Sequence, residues 1–225
     1  MKILHVLDHS LPVQSGYAFR SAAILREQRR LGLETLPLTG PKHGKSTALE
    51  EEVDGTRYAR TPPTDTPLAR LPAGEQLEVI RRLRRRLREL VARERPDVIH
   101  AHSPCLNALA ALGLGPPLVY EMRSSWEDAA VSTGTTTEGS VRYRVSRALE
   151  THVLRRADAV TVICQGLREE VIARGVPAGR VTVVPNAVDP EAFVHPATDA
   201  AATRRSLGLE GAYVLGFIGS FFAWE

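Results

Sequence analysis

Two histidines one residue apart, at the end of a short apolar run, are the side chains of this sequence best placed to do chemistry. The run Asp97, Val98, Ile99, His100, Ala101, His102 reads as a strand that leaves its sheet at Ser103 and Pro104. Strand alternation sends both rings to one side. Ligands of open α/β sheets collect beyond the carboxyl ends of the strands. There His102, the outer ring, can donate to a hydroxyl or to a charge that develops during a reaction. His100 reads as a buried, hydrogen-bonded core residue. Such a pair could also hold a metal ion, but no third ligand is evident, so no metal is expected. The plain alternative for His102 is a structural ring.

The next apolar run leaves its sheet through Glu121, Arg123 and Trp126. A carboxylate, a planar guanidinium and an indole are the groups that bind hydroxyl-rich or phosphorylated ligands. The alternative is a solvated loop with Trp126 packed as a lid. Earlier, the loop of residues 8–16 ends at Gly16, and a helix begins at Tyr17. Gly16 has no side chain to keep a ligand from the backbone, and the helix N-terminus favours an anion by about 0.3–1 kcal/mol. The alternative makes Ser15 an N-cap and Gly16 only a tight turn. The loop is not G-x-G-x-x-G, so no dinucleotide fingerprint is present.

These groups need a frame. Strands are expected at residues 3–7, 33–38, 56–60, 97–101, 118–121, 159–163 and 181–184. Helices are expected at 17–31, 75–95, 106–112, 138–156, 167–174 and 203–207. The alternation predicts an α/β fold: an open, mainly parallel sheet with helices on both faces. Residues 62–72 form a proline-rich loop, and 124–137 read as a polar, threonine-rich loop. The last residues, 213–224, read as a buried strand running into a glycine loop at Gly219 and Ser220. The expected organisation is therefore a first domain over 1–189, a linker over 190–212, and the start of a second domain over 213–225.

An apolar fraction of 43% and a charged fraction of 24% over 225 residues are ordinary globular values. A formal charge of +3 is too mild to imply nucleic acid, and no nucleic-acid motif is present. Cys105 and Cys164 stand far apart, which favours a reducing cytoplasm over a disulfide framework. The first residues turn polar too soon for a signal peptide, and no run reaches membrane-spanning length. In the helix over 75–95, an apolar stripe is flanked by Arg81, Arg82, Arg84, Arg85, Arg86 and Arg88. That face could lie on an anionic membrane at about 1 kcal/mol per basic side chain, or simply be solvated.

Taken in order, these pieces resemble glycosyltransferase family 4, the retaining enzymes of the two-domain GT-B fold. The opening Lys2 to Pro12 with Ser15, Gly16 and Tyr17 looks like the exosortase-associated branch, linked to exopolysaccharide systems. Asp97 to Pro104 is similar to the family's D-V-I-H-x-H strand, and Pro185, Asn186, Ala187, Val188, Asp189 to its P-N-G-V-D segment. The resemblance implies a Rossmann-like, acceptor-side N-terminal half of a GT-B fold. It places Gly16 by the donor diphosphate, and His102 by the transferred sugar as the catalytic residue. Gly219 and Ser220 would open the donor-binding domain; Tyr17, Glu121, Arg123 and Trp126 are candidates for sugar or acceptor contact.

The substrates implied are a nucleotide-sugar and a glycan or lipid-linked acceptor, with no cofactor and no metal. Cytoplasmic work at the inner membrane face would follow. Three departures stand out: Gly16 is alone where the family has Gly-Gly, Ala187 replaces a glycine, and the second domain's basic residues and paired glutamates are not in the sequence. An inactive module that binds acceptor, membrane or a partner chain is therefore the alternative reading, with the C-terminal strand open to self-association. A GT-B nucleotide-sugar epimerase is a further enzyme alternative.

Overall fold

The alternating runs build one eight-stranded sheet in the computed structural model, which describes residues 1–44, 48–63, 73–193 and 199–217. The strands are β1 (Lys2–Leu7), β2 (Glu34–Thr39), β3 (Glu50–Val53), β4 (Thr56–Arg60), β5 (Val98–His102), β6 (Leu118–Met122), β7 (Ala159–Val162) and β8 (Val181–Val183). Their order is β3-β4-β2-β1-β5-β6-β7-β8. Every pairing is parallel except the β3–β4 edge hairpin. The helices are α1 (Gly16–Arg30), α2 (Gly74–Glu94), α3 (Cys105–Ala111), α4 (Trp126–Ser132), α5 (Val141–Arg156), α6 (Gln165–Ala173) and α7 (Ala200–Ser206).

Period-two alternation divides the interior. Leu4 and Val6 of β1, Ile99 and Ala101 of β5, and Tyr120 and Met122 of β6 pack into the larger core with Leu83, Leu87 and Leu90 of α2 and Val153 and Leu154 of α5. The three α2 leucines are fully buried, and each contributes roughly 1.5–3 kcal/mol. A smaller core of Leu7, Leu25 and Tyr58 lies under α1, on the other face.

Two elements depart from the sequence reading. β3 carries three glutamates, so it has no apolar signature. Charge pairing replaces apolar pairing there: Arg57 Nε donates to Glu50 (2.9 Å) and Arg60 Nε to Glu51 (2.9 Å) across the hairpin. The turn is Asp54-Gly55, both residues at positive φ, as a tight hairpin requires. The second departure is α4, a helix inside the stretch read as a loop. Its first turn holds Glu127, which is buried and accepts from Arg174 Nη2 at 2.5 Å. A distant arginine thus fixes a segment whose own residues look like coil.

The chain divides into compact units over residues 1–185 and 186–225. In the second, Asp199 caps α7 by accepting from the backbone of Ala201 and Ala202 at 3.0 Å. Residues 213–217 are exposed and form no strand, in contrast to the buried strand read from the sequence. A strand needs a ladder partner, and apolar character alone does not provide one. Gly219, Ser220 and the rest of that reading lie outside the described residues.

Candidate functional site

The sheet's topology picks the place. From β1 the chain moves outward through β2 to the β3–β4 edge, then returns to lay β5 on the other side of β1. Ligands of open sheets enter the crevice beyond the strands' carboxyl ends at such a reversal. Here that end meets the loop of residues 8–15 and the start of α1.

Parity makes one face of this region polar. His5 of β1, His100 and His102 of β5, and Glu121 of β6 all oppose the residues of the larger core. The register sets His5 beside His100 and His102 beside Glu121. The His100 and His102 rings stack at 4.2 Å, so the expected shared side is observed. His5 Nδ1 is 3.0 Å from His102 Nε2, and His102 Nδ1 is 2.6 Å from Glu121 Oε2.

α1 covers this patch with Tyr17, Arg20, Ser21 and Gln28, which helical spacing puts toward one side. Arg20 Nε donates to Glu121 Oε1 at 2.7 Å. Arg20's other two nitrogens donate to the backbone carbonyls of Pro185 (2.9 Å) and Val184 (2.8 Å). Arg123 Nη2 donates to Ser21 Oγ (3.0 Å) and lies 3.4 Å from Glu121, while Nη1 donates to the Tyr17 carbonyl (3.0 Å). The Arg123 guanidinium also sits 5.2 Å from the centre of the Tyr17 ring. Gln28 Oε1 lies 2.8 Å from His5 Nε2.

Burial pushes the His5 and His102 pKa values down to about 3, and that of His100 well below the ordinary value. All three rings are therefore neutral near pH 7. Burial works against the charge on Glu121, but His102, Arg123 and His100 facing it hold its carboxyl well below the usual range. The guanidiniums of Arg20 and Arg123 stand against two carboxylates, Glu121 in the floor and Asp8 in the crevice wall, so these side chains leave no net charge. What favours an anion above the crevice is the α1 N-terminus. Ser15 caps α1 by accepting from Ala18 N at 3.1 Å, and His9 Nε2 is 2.6 Å from the same hydroxyl. A side chain at Gly16 would meet nothing within 4 Å. The space there is open, and the helix does not need a glycine for its own packing.

The structure thus brings Gly16, Tyr17, His102, Glu121 and Arg123 together. It does not give them one kind of access. His102, Glu121 and Arg123 are buried, and all but Arg123 Nε of their polar side-chain atoms have partners within the cluster and α1. Trp126 is 42% exposed, with its ring 6.3 Å from that of Tyr17. His100 is half-buried, and its Nε2 makes no hydrogen bond, lying 3.6 Å from Glu121 Oε2, in contrast to the hydrogen-bonded core residue expected. Sequence reasoning missed His5 and Arg20. A histidine amid Ile3, Leu4, Val6 and Leu7 was the available signal for the first; Arg20, three residues after Tyr17, was the signal for the second.

The arginines of α2 do not form one free face. Arg86 is buried and donates to Glu89 and to the Leu49 carbonyl; Arg84 donates to the carbonyls of Ala110 and Leu112; Arg82 pairs with Glu78. Among the described residues no helix is long and apolar enough to cross a membrane.

Residues 15–187 match the family model of the glycosyl transferase 4-like domain. The chain belongs to that family. Among curated proteins no sequence match was found. The fold of this glycosyl transferase 4-like domain recurs in solved structures. Sucrose-phosphate synthase from Thermosynechococcus elongatus superposes with a TM-score of 0.63 at 16% identity, covering 92% of this chain and 52% of that one. Anabaena HepE in complex with UDP-glucose gives 0.57 at 18%, covering 94% and 50%. UDP-N-acetylglucosamine 2-epimerase from Rickettsia bellii gives 0.51 at 14%, covering 80% and 43%. The chain spans about half the length of these relatives. At such identities the likeness establishes the fold, here half of the GT-B architecture.

Proposed function

We infer that this glycosyl transferase 4-like domain is the acceptor-side half of a retaining glycosyltransferase. It helps move a sugar from a nucleotide-sugar to an acceptor hydroxyl on a glycan or lipid-linked glycan, as in exopolysaccharide assembly. The observation that carries the reading is the family match together with the anion-favouring crevice at the β1/β5 reversal. HepE holds UDP-glucose, which makes a nucleoside diphosphate-sugar the donor class proposed here. Its diphosphate would lie at the α1 N-terminus above Gly16. Chemistry of this type rests on orientation and on stabilising the leaving diphosphate.

In this reading Tyr17 and Trp126, at the rim, are the groups that touch sugar or acceptor. Glu121 and Arg123 act from below by fixing the floor. His102 has both ring nitrogens engaged, so its role is positioning that floor rather than donating to the sugar. The crevice above His102 and Arg123 is a shallow indentation that encloses no room for a ligand by itself, whereas sites for molecules of drug size run to roughly 300–1,000 Å³. It is one wall of a site.

The test is release of nucleoside diphosphate from nucleotide-sugars by the protein that carries this domain, with and without Gly16→Val. The valine fills open space, so the thermal midpoint is expected to stay unchanged while release falls at least tenfold. Release equal to wild type in the folded variant would remove the diphosphate from α1.

A further inference from the structure

A cavity of about 240 Å³ opens between α2 and the edge hairpin of the sheet, at the carboxyl end of β4. Leu49, just before β3, and Thr61, just after β4, lie on its strand side; Arg82, Arg85, Arg86 and Glu89 of α2 form the other. None of these residues belongs to the crevice at α1. We propose that this cavity is a binding site for a phosphate monoester group, with Thr61, Arg85 and Arg86 as its principal contacts.

Two orphaned polar atoms argue for it. Thr61 is 6% exposed and Arg86 8%, and Thr61 Oγ1 and Arg86 Nε are both buried without a hydrogen-bond partner. Buried polar groups are almost always satisfied, so two on residues that line one cavity point to an acceptor within it. Both can donate: a guanidinium keeps its Nε proton, and a hydroxyl turns to suit its partner. The rest of the Arg86 fork is held in place, with Nη1 donating to Glu89 Oε2 (3.0 Å) and Nη2 to the Leu49 carbonyl (3.3 Å). The Thr61 backbone is pinned as well, its N–H donating to the Thr39 carbonyl at 3.1 Å. The two donors are therefore set in position before any ligand arrives.

The surrounding charge sets the sign of the ligand. Three guanidiniums and one carboxylate line the cavity. Glu78, outside the lining, accepts from Arg82 Nε at 3.0 Å and lies 4.0 Å from Arg81, while Glu89 is taken by Arg86. Glu50 and Glu51 of the hairpin are taken by Arg57 and Arg60. Arg85 is left over: it is exposed and makes no hydrogen bond or ion pair among the described residues. Water would satisfy the two orphaned donors without answering that charge. A phosphate monoester brings three acceptor oxygens and a charge of about −1.5 to −2, which suits two orphaned donors beside a free guanidinium.

Size and depth limit the ligand further. At about 30 Å³ per water the cavity has the volume of roughly eight waters, enough for a phosphate group and little of what it is attached to. Phosphate monoester heads occur on small metabolites and on lipids such as phosphatidic acid. A flat anionic surface would meet the outward Arg81 and Arg88, whereas the orphaned donors are buried and need a group that enters.

The experiment titrates inorganic phosphate into the full chain by calorimetry, with ionic strength held constant by chloride. One saturable site is expected. Arg86→Met should weaken it at least tenfold and Thr61→Val about tenfold, with circular dichroism unchanged. Arg81→Gln combined with Arg88→Gln, which removes two charges from the outer face, should keep the affinity. Flotation with phosphatidylcholine vesicles, with and without phosphatidic acid, separates the sources. Flotation that needs phosphatidic acid and is weakened by Thr61→Val assigns the site to a lipid head; phosphate binding without flotation assigns it to a soluble phosphate ester. A wild type that binds neither phosphate nor phosphatidic acid overturns the proposal. So does wild-type affinity in a folded Thr61→Val variant, or a tenfold loss in the outer-face double variant. Should Arg86→Met fail to fold, Thr61→Val decides alone, because its hydroxyl makes no bond that the fold could lose.

Discussion

Glu121→Gln removes the single negative charge from the floor of the crevice. The carboxylate is 1% exposed and pairs with Arg20 at 2.7 Å, with His102 at 2.6 Å, and with Arg123 at 3.4 Å. Deleting one partner of a buried ion pair costs about 3–5 kcal/mol, because the other charge is left uncompensated. Two features move this case to the low end. The Arg20 side chain keeps 12% of its exposure, and its bonds to the Val184 and Pro185 carbonyls survive the change. The expected cost is about 3 kcal/mol. With a urea dependence of about 2 kcal/mol per molar, the unfolding midpoint should fall by about 1.5 M. Adding Arg123→Met removes one stranded charge, so the double variant should be more stable than the sum of the single changes by at least about 1 kcal/mol. A loss under about 1 kcal/mol for Glu121→Gln, or strict additivity in the double variant, would show that the buried charges are not coupled as described.

The other predictions concern proton linkage. His5 and His102 have folded pKa values lowered to about 3, so the unfolded chain binds their protons first. Their contribution is complete above about pH 6.5 and is lost as pH falls toward 3; in a Glu150→Gln background, which lacks the opposing titration described next, urea midpoints should record a loss of at least about 2 kcal/mol between pH 7 and 4.5. A midpoint that stays level over that range in the Glu150→Gln background would contradict neutral burial of the rings. Glu150 works in the opposite sense: burial raises its pKa to about 7, and Tyr120 donates to it at 2.6 Å. Its contribution is complete below about pH 4.5 and is lost as pH rises through 7, up to about 3 kcal/mol. The stability difference between Glu150→Gln and wild type should therefore favour the variant more at pH 8 than at pH 5, and a difference independent of pH would refute that.

The sheet was legible because its signals are local. Apolar runs of four to six residues bounded by Gly32, Pro96 and similar breakers mark strands and helix ends wherever they fall. β3 and α4 were not legible because their stability is borrowed from distant partners: Arg57 and Arg60 for one, Arg174 for the other. The candidate site divides the same way. Gly16, His102, Glu121 and Arg123 lie next to strand ends that the sequence reveals. His5 and Arg20 belong to the same cluster only because β1 lies beside β5 and α1 crosses above it, a matter of strand order rather than spacing. The residue with the clearest motif, His102, is also the one whose exposure was misjudged. A motif says where a ring leaves the backbone, and the helix above it decides whether solvent reaches it.

Arg20 has a consequence that outlasts the identity of any ligand. One flat cation grips Glu121 with one edge and the carbonyls of Val184 and Pro185 with the other. The tether therefore runs from the middle of the sheet to the point where the first compact unit ends. Any event that weakens the pull of Glu121, whether a proton, an ion or a bound phosphate, slackens the grip on that last stretch of backbone as well. The exit of the chain is strung to the charge state of the floor.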